Sequence, residues 1–174
     1  MNSENLPYKA WLALEEIKLR GNYLSIATDF DWILIILIKE CFKQNPEEIK
    51  TFYFKNDGKG KELCEMSMFE RIEVCRNGLL KYYPKEYIKY EKSLDIIDLV
   101  RKIRNKFAHQ KIDDMFSTKD RTELTFHDLK KNFKVKSTIY KVADLWTELE
   151  SFRNTMQSTL ILISKIMGLP KPTF

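Results

Sequence analysis

Apolar residues recur at helical spacing through most of the chain, and short polar segments separate the apolar stretches. Near the start, three apolar residues have this spacing: Trp11, Leu14 and Ile17. They predict a first helix that begins near Pro7. Gly21-Asn22 is expected to end this helix or to bend it. Residues 23–42 form a second segment, in which residues 32–38 are all apolar. A run this short also fits a buried strand, but the periodic stretch around it favours a central helix buried on all sides.

The middle of the chain predicts a short helix, a loop and a longer helix in succession. Asn45-Pro46 marks a break before the short helix, and residues 55–61, which contain two glycines, form the clearest loop. Ser67 and Glu70 match the capping-box pattern, in which a hydroxyl and a carboxylate each satisfy a free backbone N–H. The helix that they open is expected to end at Asn77-Gly78. Three of its residues are expected in the core: Phe69, Ile72 and Cys75.

Two long helices and a polar segment account for the rest of the chain. After Pro84 a helix runs to about Gln110. Residues 111–136 are polar and irregular, with a candidate start for a short helix at Thr125. The last helix is the longest, and its stripe advances in alternating steps of three and four residues: Ile139, Val142, Trp146, Leu149, Arg153, Met156, Leu160, Ile163 and Met167. Arg153 is the charge in this otherwise apolar stripe, where it would fix a helix pairing, meet an acidic side chain or reach solvent.

These elements predict an all-α fold, an up-and-down helical bundle with a long C-terminal helix. The chain has 174 residues and no internal repeat or dividing linker, so residues 1–174 are expected to form a single domain with a sizeable core. Only five Gly and five Pro are present, which favours long helices over many short strands.

Composition narrows the function classes only a little. Lys and Arg outnumber Asp and Glu by 30 to 25, which gives a formal net charge of +5. Many proteins with solvated helix faces carry such an excess without binding nucleic acid, so the charge alone does not indicate a nucleic-acid partner. An odd number of cysteines without CxxC spacing indicates reduced thiols rather than a disulfide framework: Cys41, Cys64 and Cys75. Residues 1–7 lack the layout of a secretory signal, and the longest apolar run is far too short for a membrane span. The expectation is a soluble, cytoplasmic protein with no membrane contact.

The familiar catalytic and binding signatures are absent from the sequence, which contains no Walker loop and no GxGxxG, GxSxG or HExxH pattern. Its two histidines are His109 and His127, and its cysteines are unpaired. These residues do not predict a zinc site, so neither a metal nor another cofactor is expected. His127 lies in the irregular segment, where a surface or packing role is expected.

The helix that ends near Gln110 carries the remaining candidates, opposite a core face predicted from four residues: Ile96, Val100, Ile103 and Phe107. Arg101, Asn105 and His109 recur every four residues on the other side, and Arg104 lies at the margin. Three lysines add positive charge: Lys102, Lys106 and Lys111. An imidazole moves protons near neutral pH and a guanidinium holds a phosphate, which is the minimum equipment for cleaving RNA through its own 2′-hydroxyl. The same polar face is typical of any amphipathic helix, and His109 also suits a helix end favoured by the dipole.

Residues 103–109, with the sequence Ile-Arg-Asn-Lys-Phe-Ala-His, resemble the signature of the HEPN superfamily, the higher eukaryotes and prokaryotes nucleotide-binding domains. That signature is an Arg, a polar residue that is often Asn, three further residues and a His, and Arg104, Asn105 and His109 match it. The wider layout is also similar to a HEPN bundle, with an apolar second helix, a motif near the end of a later helix and a long final helix.

The resemblance implies a metal-independent endoribonuclease that acts on RNA as a toxin or in phage defence, with an antitoxin protein as a further partner. HEPN ribonucleases work as homodimers whose two motif helices face each other across a shared cleft. By this resemblance His109 would transfer protons, Arg104 would hold the phosphate and Asn105 would orient it, leaving a 2′,3′-cyclic phosphate and a 5′-hydroxyl. Asp29 and Asp31 are candidates for an acidic partner, or cap and solvent-facing residues without a function. Four basic residues are candidates for RNA phosphate contacts: Arg101, Lys102, Lys106 and Lys111.

Two features leave alternatives open. HEPN toxins that a nucleotidyltransferase partner controls have Tyr two residues after the motif His, whereas this chain has Lys111, so regulation by tyrosine modification is not expected. The superfamily also contains non-catalytic members, such as relatives of the mannitol-operon repressor, that act in regulation or assembly. The chain is therefore expected to be a ribonuclease or, alternatively, a regulatory or interaction protein of that kind.

Overall fold

The computed structural model describes residues 6–109, 111–113, 117, 120–129 and 135–173, without the side chains of residues 109, 111, 113, 128, 129, 135 and 136. Most of these residues are helical, which confirms the predicted all-α helical bundle with a long C-terminal helix. The described α-helices are α1 (Tyr8–Cys41), α2 (Met68–Tyr82), α3 (Pro84–His109) and α4 (Val142–Ile166). Short 3-10 helices cover Pro46–Thr51 and Leu63–Glu65, and short strands are β1 (Lys111–Asp113), β2 (Glu123–Leu129) and β3 (Val135–Lys141). None of the helices in the described ranges is long and apolar enough to cross a membrane.

The chain groups into two compact units, and α1, α3 and α4 each contribute residues to both. Unit 1 comprises the described residues of Met1–Ile26 and Lys102–Ser151. Unit 2 comprises those of Ala27–Arg101 and Phe152–Phe174. Each unit is thus built from separate segments of the chain, and the single domain over residues 1–174 stays a prediction.

α1 continues through Gly21, so of the two predicted alternatives, a helix end or a bend, the helix end is wrong. A glycine costs a helix about 1 kcal/mol relative to alanine. Leu19 and Tyr23 on either side of it are fully buried, and that burial outweighs the cost. The prediction that residues 32–38 are buried on all sides is also wrong, because Trp32 is 63% exposed. Four other residues of the run are buried: Ile33, Leu34, Leu37 and Ile38.

α2 begins at the predicted capping box but continues past its predicted end. The Ser67 hydroxyl accepts a hydrogen bond from the Glu70 N–H at 3.3 Å, and the Glu70 carboxylate accepts one from the Ser67 N–H at 2.7 Å. Gly78 does not end the helix. It allows a close contact instead, since an added Cβ would lie 2.6 Å from the ring of Phe42. Ile72 and Cys75 are buried as predicted, whereas Phe69 is 47% exposed, contrary to the prediction.

α3 begins at Pro84, as predicted, and continues to His109. The predicted last residue, Gln110, lies outside the described part of the chain. The predicted core face of α3 is confirmed at Val100, Ile103 and Phe107, all of which are buried. Ile96 is only partly buried, and the neighbouring Ile97 takes its place in the core. The buried residues of α3 therefore follow the helical period, but in the first half of the helix the buried face is shifted by one residue from the predicted one.

Unit 1 contains a three-stranded antiparallel sheet in the order β1-β2-β3. Phe126 on the central strand lies opposite Ile112 of β1 and Thr138 of β3. The sheet corrects three predictions. Residues 111–136 are not irregular throughout, because they contain β1, β2 and the start of β3. Thr125 lies in β2 rather than at the start of a helix, and Ile139 lies in β3 rather than in the last helix. β3 is rich in β-branched and aromatic residues and β2 has Thr125 and Phe126 near its centre, and such residues pack well on a pleated surface.

α4 buries a stripe that is offset from the predicted one. Its buried residues are Leu145, Leu149, Phe152, Thr155, Thr159, Leu162 and Ile163. Arg153 lies outside this stripe and is exposed, which agrees with the predicted alternative that it reaches solvent. Arg153 as a device that sets the register between helices stays a prediction.

Replacing Gly78 with alanine should destabilise the protein. The added Cβ would lie 2.6 Å from Cε2 of Phe42 and 3.0 Å from Cβ of Cys41, so a helix has to shift. Overpacking of this kind costs about 1–3 kcal/mol of the free energy of unfolding. Alanine's higher helix propensity returns about 1 kcal/mol at most, so urea denaturation should show a net loss. The control N77A, at the exposed neighbouring position, should stay within about 0.5 kcal/mol of wild type; a G78A protein as stable as wild type would contradict the packing.

Candidate functional site

Four aromatic rings hold the motif helix in unit 1. Phe107 stacks on Tyr23 at a centroid distance of 4.4 Å and meets Phe126 edge-on at 4.9 Å. Phe126 in turn meets Tyr140 edge-on at 5.4 Å. The rings join α1, α3, β2 and β3, and Phe107 is only 3% exposed. Each ring pair contributes about 0.5–1.5 kcal/mol beyond its burial, so the cluster fixes the last turns of α3.

The motif residues occupy the end of α3. The Nε atom of Arg104 is buried and makes no hydrogen bond with any residue that the structure describes. Arg104 as a whole is partly buried, which places it at the margin of the core face. Asn105 is exposed. His109 is the last residue of α3, and its side chain lies outside the described part of the chain.

The lysines around the motif provide exposed positive charge. Lys106 is exposed, and its Nζ atom lies 3.3 Å from the hydroxyl of Tyr140 and 5.9 Å from the centroid of that ring. Lys102 is also exposed. The side chain of Lys111 lies outside the described part, although its backbone is paired with His127 in the sheet.

Arg101 belongs to unit 2 and is held by two contacts there. Its Nε atom donates to Oδ1 of Asp98 at 2.7 Å, and its guanidinium carbon lies 5.3 Å from the centroid of the Phe69 ring. An arginine engaged in this way would have to give up both contacts to bind a phosphate. Phosphate binding by Arg101 would therefore cost the protein both contacts.

Glu148 of α4 is a candidate site residue that the sequence did not predict. The hydroxyl of Tyr23 lies 2.9 Å from Oε2 of Glu148 and 3.1 Å from the backbone oxygen of Leu145. Burial and the nearby Glu148 charge raise the pKa of the Tyr23 hydroxyl, so it stays protonated and donates its single proton. Burial raises the pKa of Glu148, although the hydrogen bond from Tyr23 and the charge of Lys106 act in the opposite direction.

No spacing in the sequence could have revealed the contact between Tyr23 and Glu148. The two residues are 125 positions apart, and only the packing of α1 against α4 within unit 1 brings them together. The available signal was weaker: Glu148 lies one position before Leu149, on a helix whose apolar period was visible. A carboxyl that holds its proton to higher pH than usual thus lies within the electrostatic reach of Lys106 in the motif.

Asp31 forms an ion pair in unit 2. Its Oδ2 atom accepts from Nη1 of Arg71 at 2.5 Å. Arg71 is buried and also donates to the backbone oxygens of Leu63 and Cys64, at 3.1 and 3.3 Å. The pair therefore stabilises the segment that precedes α2. Asp29 is exposed on α1, and the role of either residue as an acidic partner of the motif stays a prediction.

His127 and the buried cysteines have local environments that explain them. Nδ1 of His127 lies 2.9 Å from the hydroxyl of Ser137, the residue directly opposite on β3, which fits a packing role in the sheet. Cys41 and Cys75 are buried thiols, and burial raises the pKa of Cys41 to about 12. Among the described side chains, no three His, Cys, Asp or Glu residues lie together in a group that could hold a metal ion.

Comparisons with known proteins do not assign the chain to a family. No protein-family model matches the sequence, and no curated protein or solved structure shows significant similarity to it. The resemblance to HEPN domains therefore stays a prediction, and the function has to be inferred from the residues and contacts of the chain itself.

Replacing Glu148 with glutamine should remove part of the pH dependence of stability. Because burial raises the pKa of Glu148 in the folded protein, its protonated form contributes stability that is complete below the unfolded-state pKa of about 4.3. That stability is lost as pH rises through the folded-state pKa. Glutamine keeps an oxygen for Tyr23 and has no charge. Between about pH 4 and about pH 7, wild type should therefore lose more stability than E148Q in urea denaturation.

The control for this measurement is Q157A, at an exposed position of the same helix. It removes no titratable group and should keep the wild-type pH dependence. Parallel stability curves for wild type and E148Q would show that Glu148 is solvated like an ordinary surface carboxylate.

Proposed function

We propose that the protein is a metal-independent endoribonuclease of HEPN type. The observation that carries the proposal is Arg104, a motif residue whose buried Nε donor makes no hydrogen bond with any described residue. A buried donor without an acceptor costs about 1–3 kcal/mol, so Arg104 gains by turning outward, where its guanidinium would donate to a phosphate oxygen of bound RNA. Asn105 is exposed at the next position, and His109 ends the same helix.

Each motif residue has one task in the proposed reaction. His109 accepts the proton of a 2′-hydroxyl, whose oxygen attacks the adjacent phosphorus. The bond from phosphorus to the 5′ oxygen breaks, and a motif imidazolium protonates that oxygen. Arg104 donates to the non-bridging oxygens, where negative charge develops, and Asn105 orients the phosphate. The products are one RNA that ends in a 2′,3′-cyclic phosphate and one that begins with a 5′-hydroxyl.

The motif of one chain does not make a complete site, so the proposal includes a homodimer. His109 follows Arg104 by five residues, which is a rotation of about 140° around the helix and a rise of about 7.5 Å. The two positions therefore lie on different sides of the helix. Two motif helices related by a two-fold axis would bring Arg104 of one copy and His109 of the other to the same phosphate.

The charge around the motif supports RNA as the ligand. Lys102 and Lys106 are exposed on α3, and contacts between lysines and phosphates give RNA an affinity that falls with salt. A toxin or phage-defence effector that an antitoxin protein restrains is the proposed biological context. Cellular RNA as the substrate would place that activity in the cytoplasm.

The purified protein should cleave single-stranded RNA in EDTA, and H109A should be at least about 100-fold slower, because loss of a general acid–base group costs that much or more. N105A, at an exposed position, should be slower by a smaller factor. Gel electrophoresis would measure the rate, and mass spectrometry should find the 2′,3′-cyclic phosphate. The control K92A, which removes an exposed lysine from the same helix, should keep the wild-type rate. Equal cleavage by wild type and H109A, or no cleavage of varied RNAs by wild type, would refute the nuclease and favour the regulatory or interaction protein.

Mixing two inactive variants tests whether the site is shared between chains. R104A and H109A should each be inactive alone, but a heterodimer of the two holds one intact Arg104–His109 pair. After subunit exchange, activity should return to about a quarter of wild type. If both groups act from the same chain, the mixture stays as inactive as its components, and the two-chain site is wrong.

A further inference from the structure

Tyr140 lies at the rim of the core of unit 1, next to the motif helix. It is opposite Leu124 in the pairing of β3 with β2, and residues paired in this way share a face of the sheet. Phe126 lies on the same face, two residues after Leu124, and it contacts Phe107 of α3. That face of the sheet is therefore directed towards α3. Leu124 and Phe126 are buried, whereas Tyr140 on the last strand of the described sheet is only partly buried.

The described aromatic residues leave a face of the Tyr140 ring uncovered. Phe126 meets this ring almost perpendicularly, with 87° between the ring planes and 5.4 Å between the centroids. Such a pair places an edge of one ring against a face of the other, so Phe126 covers at most one face of Tyr140. Within the described ranges, no second ring contacts Tyr140.

Lys106 lies at the hydroxyl end of this ring rather than over a face. Its Nζ atom donates to the hydroxyl oxygen at 3.3 Å and lies 5.9 Å from the ring centroid. The second distance is close to the first plus the length from the centroid of a tyrosine ring to its own oxygen, so the three points are nearly in line. The ammonium therefore extends the long axis of the ring, and both faces stay clear of it.

Helix geometry places Lys106 beside the motif. It lies about 100° around α3 from Asn105 and about 60° from position 109, with rises of about 1.5 Å and about 4.5 Å. Lys102 lies about 40° from Lys106 and about one turn earlier, so the two exposed lysines form a row along the helix. The ring of Tyr140 thus borders the side of α3 on which the exposed Asn105 and this row are found.

We propose that Tyr140 and Lys106 form a subsite for one nucleotide of single-stranded RNA, beside the phosphate that is cleaved. The base stacks on the uncovered face of the Tyr140 ring, and the ammonium at the end of the ring holds a phosphate of the same strand. The subsite rests on the proposed function, because it names the part of the RNA that is held next to the motif.

The two groups suit an unpaired nucleotide in particular. Stacking on an aromatic ring requires a base whose face is free, and the bases of a double helix already stack on each other. Every base has such a face, so a ring selects single strands without selecting a sequence. The lysine contributes a contact with the backbone, which is equally independent of sequence. The subsite thus favours unpaired RNA over duplexes and gives little preference among the four bases.

Binding of two short probes, each of about eight nucleotides, tests the subsite without cleavage. Both probes are 2′-O-methylated and so lack the attacking hydroxyl; one has uracil at every position and the other has no bases. Fluorescence anisotropy with the full chain in EDTA should show that Y140L binds the uracil probe at least about fivefold more weakly than wild type, as expected for the loss of one stacked base. Y140L should bind the abasic probe as wild type does.

Three further variants separate the ring from the charge. Y140F keeps the ring and should bind the uracil probe as wild type does. K106A should weaken both probes alike and reduce the salt dependence, because it removes a phosphate contact. The control K92A, at an exposed position of α3, should bind both probes normally. The subsite is wrong if Y140L binds the uracil probe as tightly as wild type, if it loses both probes equally, or if wild type binds neither.

A measurement on wild type covers the case in which Y140L does not fold. The uracil probe is prepared with 5-iodouracil, which on irradiation forms covalent bonds to aromatic side chains that stack on it. Trypsin should release the cross-linked base on the peptide of residues 137–141, which contains Tyr140. Cross-links on other peptides with none on this one would overturn the subsite.

Failure of the subsite and failure of the nuclease have different signatures. Base-dependent binding through Tyr140 without cleavage of natural RNA would remove the proposed function and leave a site for single-stranded RNA. Cleavage of natural RNA by a folded Y140L protein with the kcat/KM of wild type would remove the subsite and leave the nuclease.

Discussion

The motif helix depends on the ring of Phe107, which lies between Tyr23 and Phe126. Its stacking on Tyr23 at 4.4 Å and its edge-on contact with Phe126 at 4.9 Å tie α3 to α1 and to the sheet within unit 1. Arg104 and Asn105 precede this ring by three and two residues. Their positions are therefore set by a buried aromatic contact rather than by their own polar interactions. Such packing leaves the exposed amide of Asn105 available to a ligand.

The helices could be predicted from the sequence where the apolar period continued long enough to define a face. Val100, Ile103 and Phe107 fixed the buried side of α3, and Ser67 with Glu70 fixed the start of α2. The sheet was not predictable in the same way, because β2 and β3 are only seven residues long and their polar residues resemble a loop. Gly21 and Gly78 misled because a glycine occurs inside helices as well as at their ends, and the pattern alone does not separate the two cases.

The candidate site was predictable only in its local part. A motif within seven residues of one helix is visible in the sequence, and so is the marginal position of Arg104. The pairing of Tyr23 with Glu148 was not, because it joins residues 125 positions apart. The engagement of Arg101 with Asp98 and Phe69 was hidden as well, since the periodicity of α3 shows the side on which a residue lies but not its contacts. Sequence patterns thus identify the reactive groups, whereas tertiary packing determines which of them are available.

The proposed two-chain site rests on helix geometry, because positions 104 and 109 lie on different sides of α3 and a shared phosphate would require two helices. The contacts that would hold RNA there are ionic, through exposed lysines such as Lys106, whereas the packing around Phe107 is apolar. Salt weakens contacts between lysines and phosphates far more than it weakens apolar burial. The folded motif helix should therefore survive conditions in which the protein releases RNA, so folding and substrate binding can be measured separately.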